Sequence, residues 1–446
     1  MKLRKTLSVL LIALLFLVLT PSCSSDDPIK DQTETPGKPI DPGEEPKEPT
    51  EPEEKPDLED EDYLTYGKEF TMGGEVYPIE SFKKEQIEEG FDLMSLSIYQ
   101  IKKDPKFRLR AHVIRFERAL LEKGYTLEAI MGGKTLTSYS NALQAVEREN
   151  SSHKTLMATI NADFFDMGNH GPVLGTMITD HNVIKIGGAG WQKVYGITND
   201  NELFIDDLTF DVKADKATIT NINSKRGENH LILYTQEMGE RTGSNQYGSE
   251  IVLKPTEGLW GDLEDYTNVV CEVTQAATST EGGEKIPEGH IVLSGHGTSA
   301  EICKQYKVGD KVNIQIQASG SNNKAYKNIR TAVGTPYEIL VKGEVIPAAT
   351  QSGNPNGREP RTAIGHSDKH IYMVVVEARN RQSFGFTTVE LGEFMKFMGA
   401  KDAVNLDGGG STTLVTGNGN KTYGQGEDAT FFRAVPNFLS LVKWNR

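Results

Sequence analysis

Asn405-Leu406-Asp407-Gly408-Gly409-Gly410-Ser411-Thr412-Thr413 joins one carboxylate to three consecutive glycines and three hydroxyls. Three glycines let main chain approach a ligand closely, and successive N–H groups can form an anion nest. The stretch lacks the lysine of a P-loop and the spacing of a dinucleotide fingerprint, so ATP or NAD binding is disfavoured. Asn161-Ala162-Asp163-Phe164-Phe165-Asp166 sets two carboxylates beside two aromatic rings, a combination able to hold a sugar. Arg358-Glu359-Pro360-Arg361 offers two guanidiniums suited to phosphate or carboxylate. Ser294-Gly295-His296-Gly297 places a histidine in a glycine turn. Each motif alone is equally compatible with a tight turn, a core aromatic or a surface charge.

The elements around these motifs decide whether they converge. Ile371–Val376 is a continuous apolar, β-branched run, the pattern of a strand buried on both faces. Thr387-Thr388-Val389-Glu390 reads as a capping box. Leu391, Phe394, Met395 and Met398 follow at helical spacing, and Gly399 closes the helix. Asp402–Leu406 then reads as a second short buried strand. Strand, helix, strand predicts a βαβ unit with parallel strands, whose carboxyl ends share one rim. Glu377 and Arg379 follow the first strand, and Asp407 with the glycines follows the second, so the rim is where a ligand is expected.

Further β-like runs lie at Leu93–Ile101, Ala111–Arg118, Leu156–Ile160, Val183–Ile186, Asn229–Tyr234, Val269–Thr274 and Val312–Gln317. A second helix is expected over Ser138–Asn150, with Ser138 or Ser140 as cap. With no fixed-period repeat and no linker after Tyr63, the fold class expected is α+β: one large domain with mixed sheets and a C-terminal βαβ unit carrying the site.

The net charge of −15 is uneven: residues 26–62 carry −12 with eight of the 19 prolines, leaving only −6 after position 62. Such a segment cannot bury apolar surface and reads as an extended tether over 23–62. A mildly acidic globular part argues against general nucleic-acid binding. Lys2, Arg4 and Lys5 precede the apolar run Thr6–Leu19, which has signal-peptide length and is short for a membrane span. Cys23 after Ser22 resembles a bacterial lipobox, and the acidic residues behind it resemble the surface-export signal of Bacteroidetes lipoproteins. The expectation is a signal peptide over 1–22, a lipid on Cys23 and an outer-membrane location. Cys271 and Cys303 could form a disulfide or remain as two buried thiols. No zinc spacing appears, and no cofactor is expected.

Taken together, Asn161–Phe165, Arg361–Gly365, Glu377-Ala378-Arg379 and Asn405–Thr413 stand in the order and spacing of the phosphodiester glycosidase family. That is the family of N-acetylglucosamine-1-phosphodiester α-N-acetylglucosaminidase. Glu228–Thr235, Ile291–Gly297 and Ala332–Gly334 resemble it too, so the resemblance spans about 108–446, with 63–107 as an N-terminal extension. The family usually has Asn-Gly-Gly where this chain has Asn161-Ala162-Asp163, and Asp-Gly-Arg where it has Glu377-Ala378-Arg379. The first departure adds a carboxylate; the second keeps an acid one methylene longer.

The resemblance implies hydrolysis of a sugar-1-phosphodiester, with a phosphorylated glycan as substrate. It gives Asp407 and Glu377 the chemistry at the anomeric carbon, and Arg361 and Arg379 the phosphate. Asn161, Asn405 and His296 would orient hydroxyls, with Asp163 and Ser411 in the binding site. The main chain of Gly408, Gly409 and Gly410 would cradle an oxygen. Two other readings stay open: a glycan-binding surface lipoprotein without catalysis, and a metal-dependent phosphodiesterase using Asp163, Asp166, Glu377 and Asp407.

Overall fold

The computed structural model describes residues 67–100, 106–169, 171–258, 268–279, 283–348, 355–416, 419, 421–424 and 432–445. The charged start, Cys23 and the acidic, proline-rich stretch lie outside them. The elements that build the candidate site are, in chain order, β1 (Phe107–Glu117), α1 (Ala142–Glu149), β2 (Lys154–Asn161), β3 (Arg361–His366), β4 (His370–Val376), α2 (Thr388–Phe397), β5 (Asp402–Asn405), β6 (Leu414–Thr416) and β7 (Asn437–Trp444).

Strands β1, β4, β3 and β5 lie side by side, in that order, at the middle of a nine-stranded sheet. Glu69–Met72, Glu75–Glu88 and Phe91–Gln100 extend it beyond β1, and Tyr337–Val341 with Glu344–Val345 beyond β5. A five-stranded sheet packs over it, ordered Lys421–Tyr423, β6, β2, β7, Tyr125–Met131. The remaining chain forms another five-stranded sheet, from Met177 to Gly334, and a second nine-stranded one, from Thr209 to Tyr326. The whole is a mixed α+β domain in which sheet dominates.

Alternation along β4 explains why a continuous apolar run was needed there. Met373 and Val375 face the core shared with the five-stranded sheets, among Ile114, Ile160, Val404 and Leu439. Val374 and Val376 face the opposite core, where α2 packs through Leu391, Phe394 and Met395. Successive side chains on a strand point to opposite faces, so a strand between two cores must be apolar throughout. Helix α2 begins as its sequence indicates: the Thr387 hydroxyl accepts from Glu390 N–H and the Glu390 carboxylate accepts from Thr387 N–H. Gly399, at φ +98°, takes the left-handed turn that ends it.

Two sequence expectations change. Strands β4 and β5 do run parallel, but they are not neighbours: β3 lies between them, antiparallel to both. The simple βαβ unit is therefore opened by an inserted strand, because Arg361–His366, buried at all but its last residue, occupies the middle. The cap of α1 is Asn141, in a reciprocal box with Gln144, rather than Ser138 or Ser140. The other expected strands form within a few residues of their predicted bounds.

Candidate active site

Opening the βαβ unit enriches its rim. Because β3 runs against β4 and β5, its first residue stands at the same end as their last. Arg361 pairs with Val376, and Asn405 with Ala363. Arg361, Glu377 and Asp407 therefore gather at one edge from three adjacent strands. Neighbouring strands lie about 4.8 Å apart, so β4 and β5 are separated by about 10 Å at this edge.

The five-stranded sheet is tied to that edge by Asn161, the last residue of β2. Its amide Nδ2 donates to the Asp407 carbonyl at 2.6 Å. Its Oδ1 accepts from Thr362 Oγ1 at 2.6 Å and from Thr413 N–H at 3.1 Å. Asp407 N–H donates in turn to the Ala162 carbonyl at 2.9 Å. Asn161 is 1 % exposed and fully used, so it holds the glycine-rich loop rather than facing a ligand.

Asp407 is partly exposed. Desolvation pushes its carboxyl up to about 6, against the Ser411 hydroxyl, Gly408 N–H and Arg433, which favour the charged form. Gly408 N–H donates to its Oδ1 at 3.0 Å. The loop is pressed close to its neighbours. A β-carbon on Gly408 would lie 2.7 Å from the Pro360 carbonyl, and one on Gly410 would lie 2.4 Å from the Arg433 guanidinium. Arg379 Nη2 lies 3.5 Å from where a Gly409 β-carbon would be. Two guanidiniums thus approach the glycines beside Asp407: Arg379 at Gly409 and Arg433 at Gly410. Within the same loop the buried oxygens of Asn405 (Oδ1), Thr412 and Thr413 (Oγ1) have no hydrogen-bond partner, a concentration typical of a functional site.

The arginines differ in availability. Arg379 is about half exposed and holds Glu359 at 2.8 Å, in a left-handed backbone conformation at φ +63° that is unusual outside glycine. Arg361 is 8 % exposed; its Nε donates to the Phe386 carbonyl at 2.9 Å and its Nη2 to the Gly357 carbonyl at 2.7 Å. Arg361 therefore braces the loops behind the rim. Arg433 was not singled out by sequence, since it stands in an undistinguished stretch; its position four residues before the last strand, Asn437–Trp444, carries no motif.

Asp163, at 2 % exposure, lies beneath the loop. Its N–H donates to Asn437 Oδ1 at 2.9 Å and its Oδ2 accepts from Asn437 Nδ2 at 2.6 Å. Burial raises its pKa to about 8, with the Asn437 bond and Lys185 opposing and Asp407 adding to the rise. It is neutral at pH 7, so the expected extra charge at this position is not delivered. Gly175 and Gly334 leave it room: a β-carbon on either would lie 2.5 or 2.3 Å from its Oδ1.

Glu377 is engaged by His112. Its Oε1 is 2.9 Å from His112 Nε2, and it lines a separate cavity with Tyr423, whose ring stacks on His112 at 3.9 Å. His296 ends the strand Ile291–His296 in the second nine-stranded sheet, near Tyr247. No described contact joins it to the rim. Asp163, Asp166, Glu377 and Asp407 do not gather into one cluster. Among the described residues no group of three or more His, Cys, Asp and Glu side chains is placed to hold a metal ion. Cys271 and Cys303 are both free, buried thiols.

Residues 267–442 match the family model described as phosphodiester glycosidase, a span that includes Arg361, Glu377, Arg379, Asp407 and Arg433. A hypothetical protein from Synechocystis shares the fold at a TM-score of 0.62 and 17% identity, covering 81% of this chain and 64% of that one. A Burkholderia pseudomallei K96243 protein does so at 0.56 and 20% identity, covering 75% and 74%. The zebrafish N-acetylglucosamine-1-phosphodiester alpha-N-acetylglucosaminidase catalytic domain, auto-inhibited by its pro-peptide, gives 0.38 at 13% identity, covering 83% and 89%. This chain spans less than two thirds of the Synechocystis protein. No curated protein matches it.

Proposed function

We propose, from the match of residues 267–442 to the phosphodiester glycosidase family model, that the chain hydrolyses the glycosidic bond of a sugar-1-phosphodiester. The observation that carries this reading is the pair of guanidiniums, Arg379 and Arg433, close to Gly409 and Gly410 of the Asp407 loop. A phosphodiester bears one negative charge and gains a second when it leaves as a monoester. Two fixed cations stabilise that change most in the transition state, where charge develops. The leaving monoester needs little protonation, so a single well-placed carboxylate can do the remaining work at the anomeric carbon.

Asp407 is assigned that work. With a pKa of about 6 it is mostly ionised at pH 7 and can take a proton from water or attack C1 directly. Water supplies OH to C1 and H to the departing oxygen; the C1–O bond breaks, giving free sugar and a phosphomonoester. Arg361, Asn161 and Asp163 with Asn437 position the loop. A phosphorylated glycan is the substrate class, and the chain reaches it as an outer-membrane lipoprotein carried by lipid on Cys23.

The test is hydrolysis of N-acetylglucosamine-1-phosphodiester in ¹⁸O water, with and without a chelator. Label in the sugar is expected, unaffected by chelator and abolished in Asp407→Asn. Label in the phosphate would replace this reading with a phosphodiesterase. Binding without product across a panel of such diesters would replace it with a glycan-binding protein. Loss of radiolabelled lipid incorporation in Cys23→Ser tests the anchor.

A further inference from the structure

On one face of the large nine-stranded sheet, an apolar surface turns polar along four adjacent strands at the same level. Phe91 and Leu93 give way to Ser95 and Ser97; Phe116 and Ile114 give way to His112 and Arg110; Met373 and Val375 give way to Glu377. Cross-strand register makes this a grid. Lys83, Ser95 and His112 stand opposite one another in one row, and Ser81, Ser97 and Arg110 in the next. Side chains two apart share a face, so all of these point the same way. Tyr423 and Gly424 of the overlying sheet edge close the space into a cavity of about 370 Å³, within the size range of small-ligand sites.

The cavity is built rather than incidental. His112 and Glu377 are 8 and 6 % exposed, and both are held in it. The Ser95 hydroxyl reaches His112 Nδ1 at 2.9 Å, and His112 Nε2 reaches Glu377 at 2.9 Å, so one chain of bonds fixes the imidazole and the carboxylate. Ser81 and Ser97 hydroxyls meet at 2.6 Å. Lys83 and Arg110 add positive charge to the lining of the cavity. Hydroxyls and a carboxylate suit sugar hydroxyls, and the cations suit an acidic substituent. The site also adjoins the Asp407 loop: a β-carbon on Gly424 would lie 3.2 Å from the Thr412 carbonyl.

We propose that this cavity binds an acidic sugar residue, one carrying a carboxylate or phosphate group. Much of it comes from residues 81–112, ahead of the span that matches the family. Its use as a subsite for the glycan attached to the scissile diester rests on the function proposed above; its preference for acidic sugars does not.

The experiment is calorimetric titration of the full chain with glucuronate, glucose 6-phosphate, glucose and inorganic phosphate. Both acidic sugars are expected to bind at least tenfold more tightly than glucose, and glucose 6-phosphate more tightly than phosphate. Lys83→Glu should remove the preference and Ser97→Trp, which fills the cavity, should remove binding. Asp407→Asn should change neither. Equal affinity for glucose and the acidic sugars, no binding of any sugar, phosphate binding as tightly as its sugar ester, or a preference surviving Lys83→Glu would each overturn the proposal. Absence of diester hydrolysis alongside normal titrations would overturn the function above and leave this site standing.

Discussion

The side-chain amide of Asn161 donates to the main-chain carbonyl of Asp407 at 2.6 Å, joining two sheets at the point where the glycine-rich loop begins. The same amide group serves Thr362 and Thr413, so one side chain satisfies three partners. Asn161→Ala leaves all three buried groups without it, at about 1–3 kcal/mol for an unsatisfied group. Urea unfolding should show a loss of about 2–4 kcal/mol, and activity should fall further than stability because the loop loses its tether. An unchanged midpoint would mean that Asn161 is not the tie.

The two carboxyls near the loop should leave separate marks on pH profiles. Asp407 acts ionised, so kcat/KM should rise with pH through about 6, and this limb should vanish in Asp407→Asn. A fall above 6 instead would make Asp407 a general acid.

Asp163 contributes to stability with a definite sign. Its folded pKa, about 8, lies above the ordinary 3.8, so ionisation opposes folding. Stability is fully present below the unfolded value and is lost progressively as pH rises toward 8. Asp163→Asn should keep the Asn437 contact on one edge and flatten the decline between about pH 4 and 8 in thermal melts. An equally steep decline in the variant would assign it to another group.

Arg379→Ala and Arg433→Ala should each lower kcat/KM about 10²–10³-fold, the cost of one lost charge-stabilising contact in a transition state. Both side chains reach solvent, so melting temperatures should hardly move. Gly410→Ala should mimic the second loss, because its new methyl would occupy the place of the Arg433 guanidinium at 2.4 Å. If Gly410→Ala retained full activity, Arg433 would not be needed where it lies.

Cys271 and Cys303 have thiols pushed up to about 12 by burial. Neither should react with a thiol reagent in the folded protein at pH 8, and two equivalents from these positions should appear on unfolding. Early reaction of Cys271 would show local opening of the second nine-stranded sheet, and of Cys303, opening of the short helix Ala300–Lys304.

Local signals in the chain determined much of this protein. The β-branched run at 371–376 specified a strand between two cores, and Thr387 with Glu390 specified where α2 starts. The Asn405–Thr413 motif marked the candidate site, because a run of glycines after a buried strand is legible in the sequence alone. What the tertiary structure decided was which charges face outward there. Strand order is a non-local property, so the insertion of β3 between β4 and β5 left no trace in spacing. In the folded chain Arg361 donates to the Phe386 and Gly357 carbonyls, burial raises the Asp163 pKa, and Glu377 meets His112. Arg433, silent as a sequence position, reaches the loop only because residues distant in the chain fold back onto Gly410. Burial and partner identity, which set both the charge and the reach of each group, exist only once the sheets have packed.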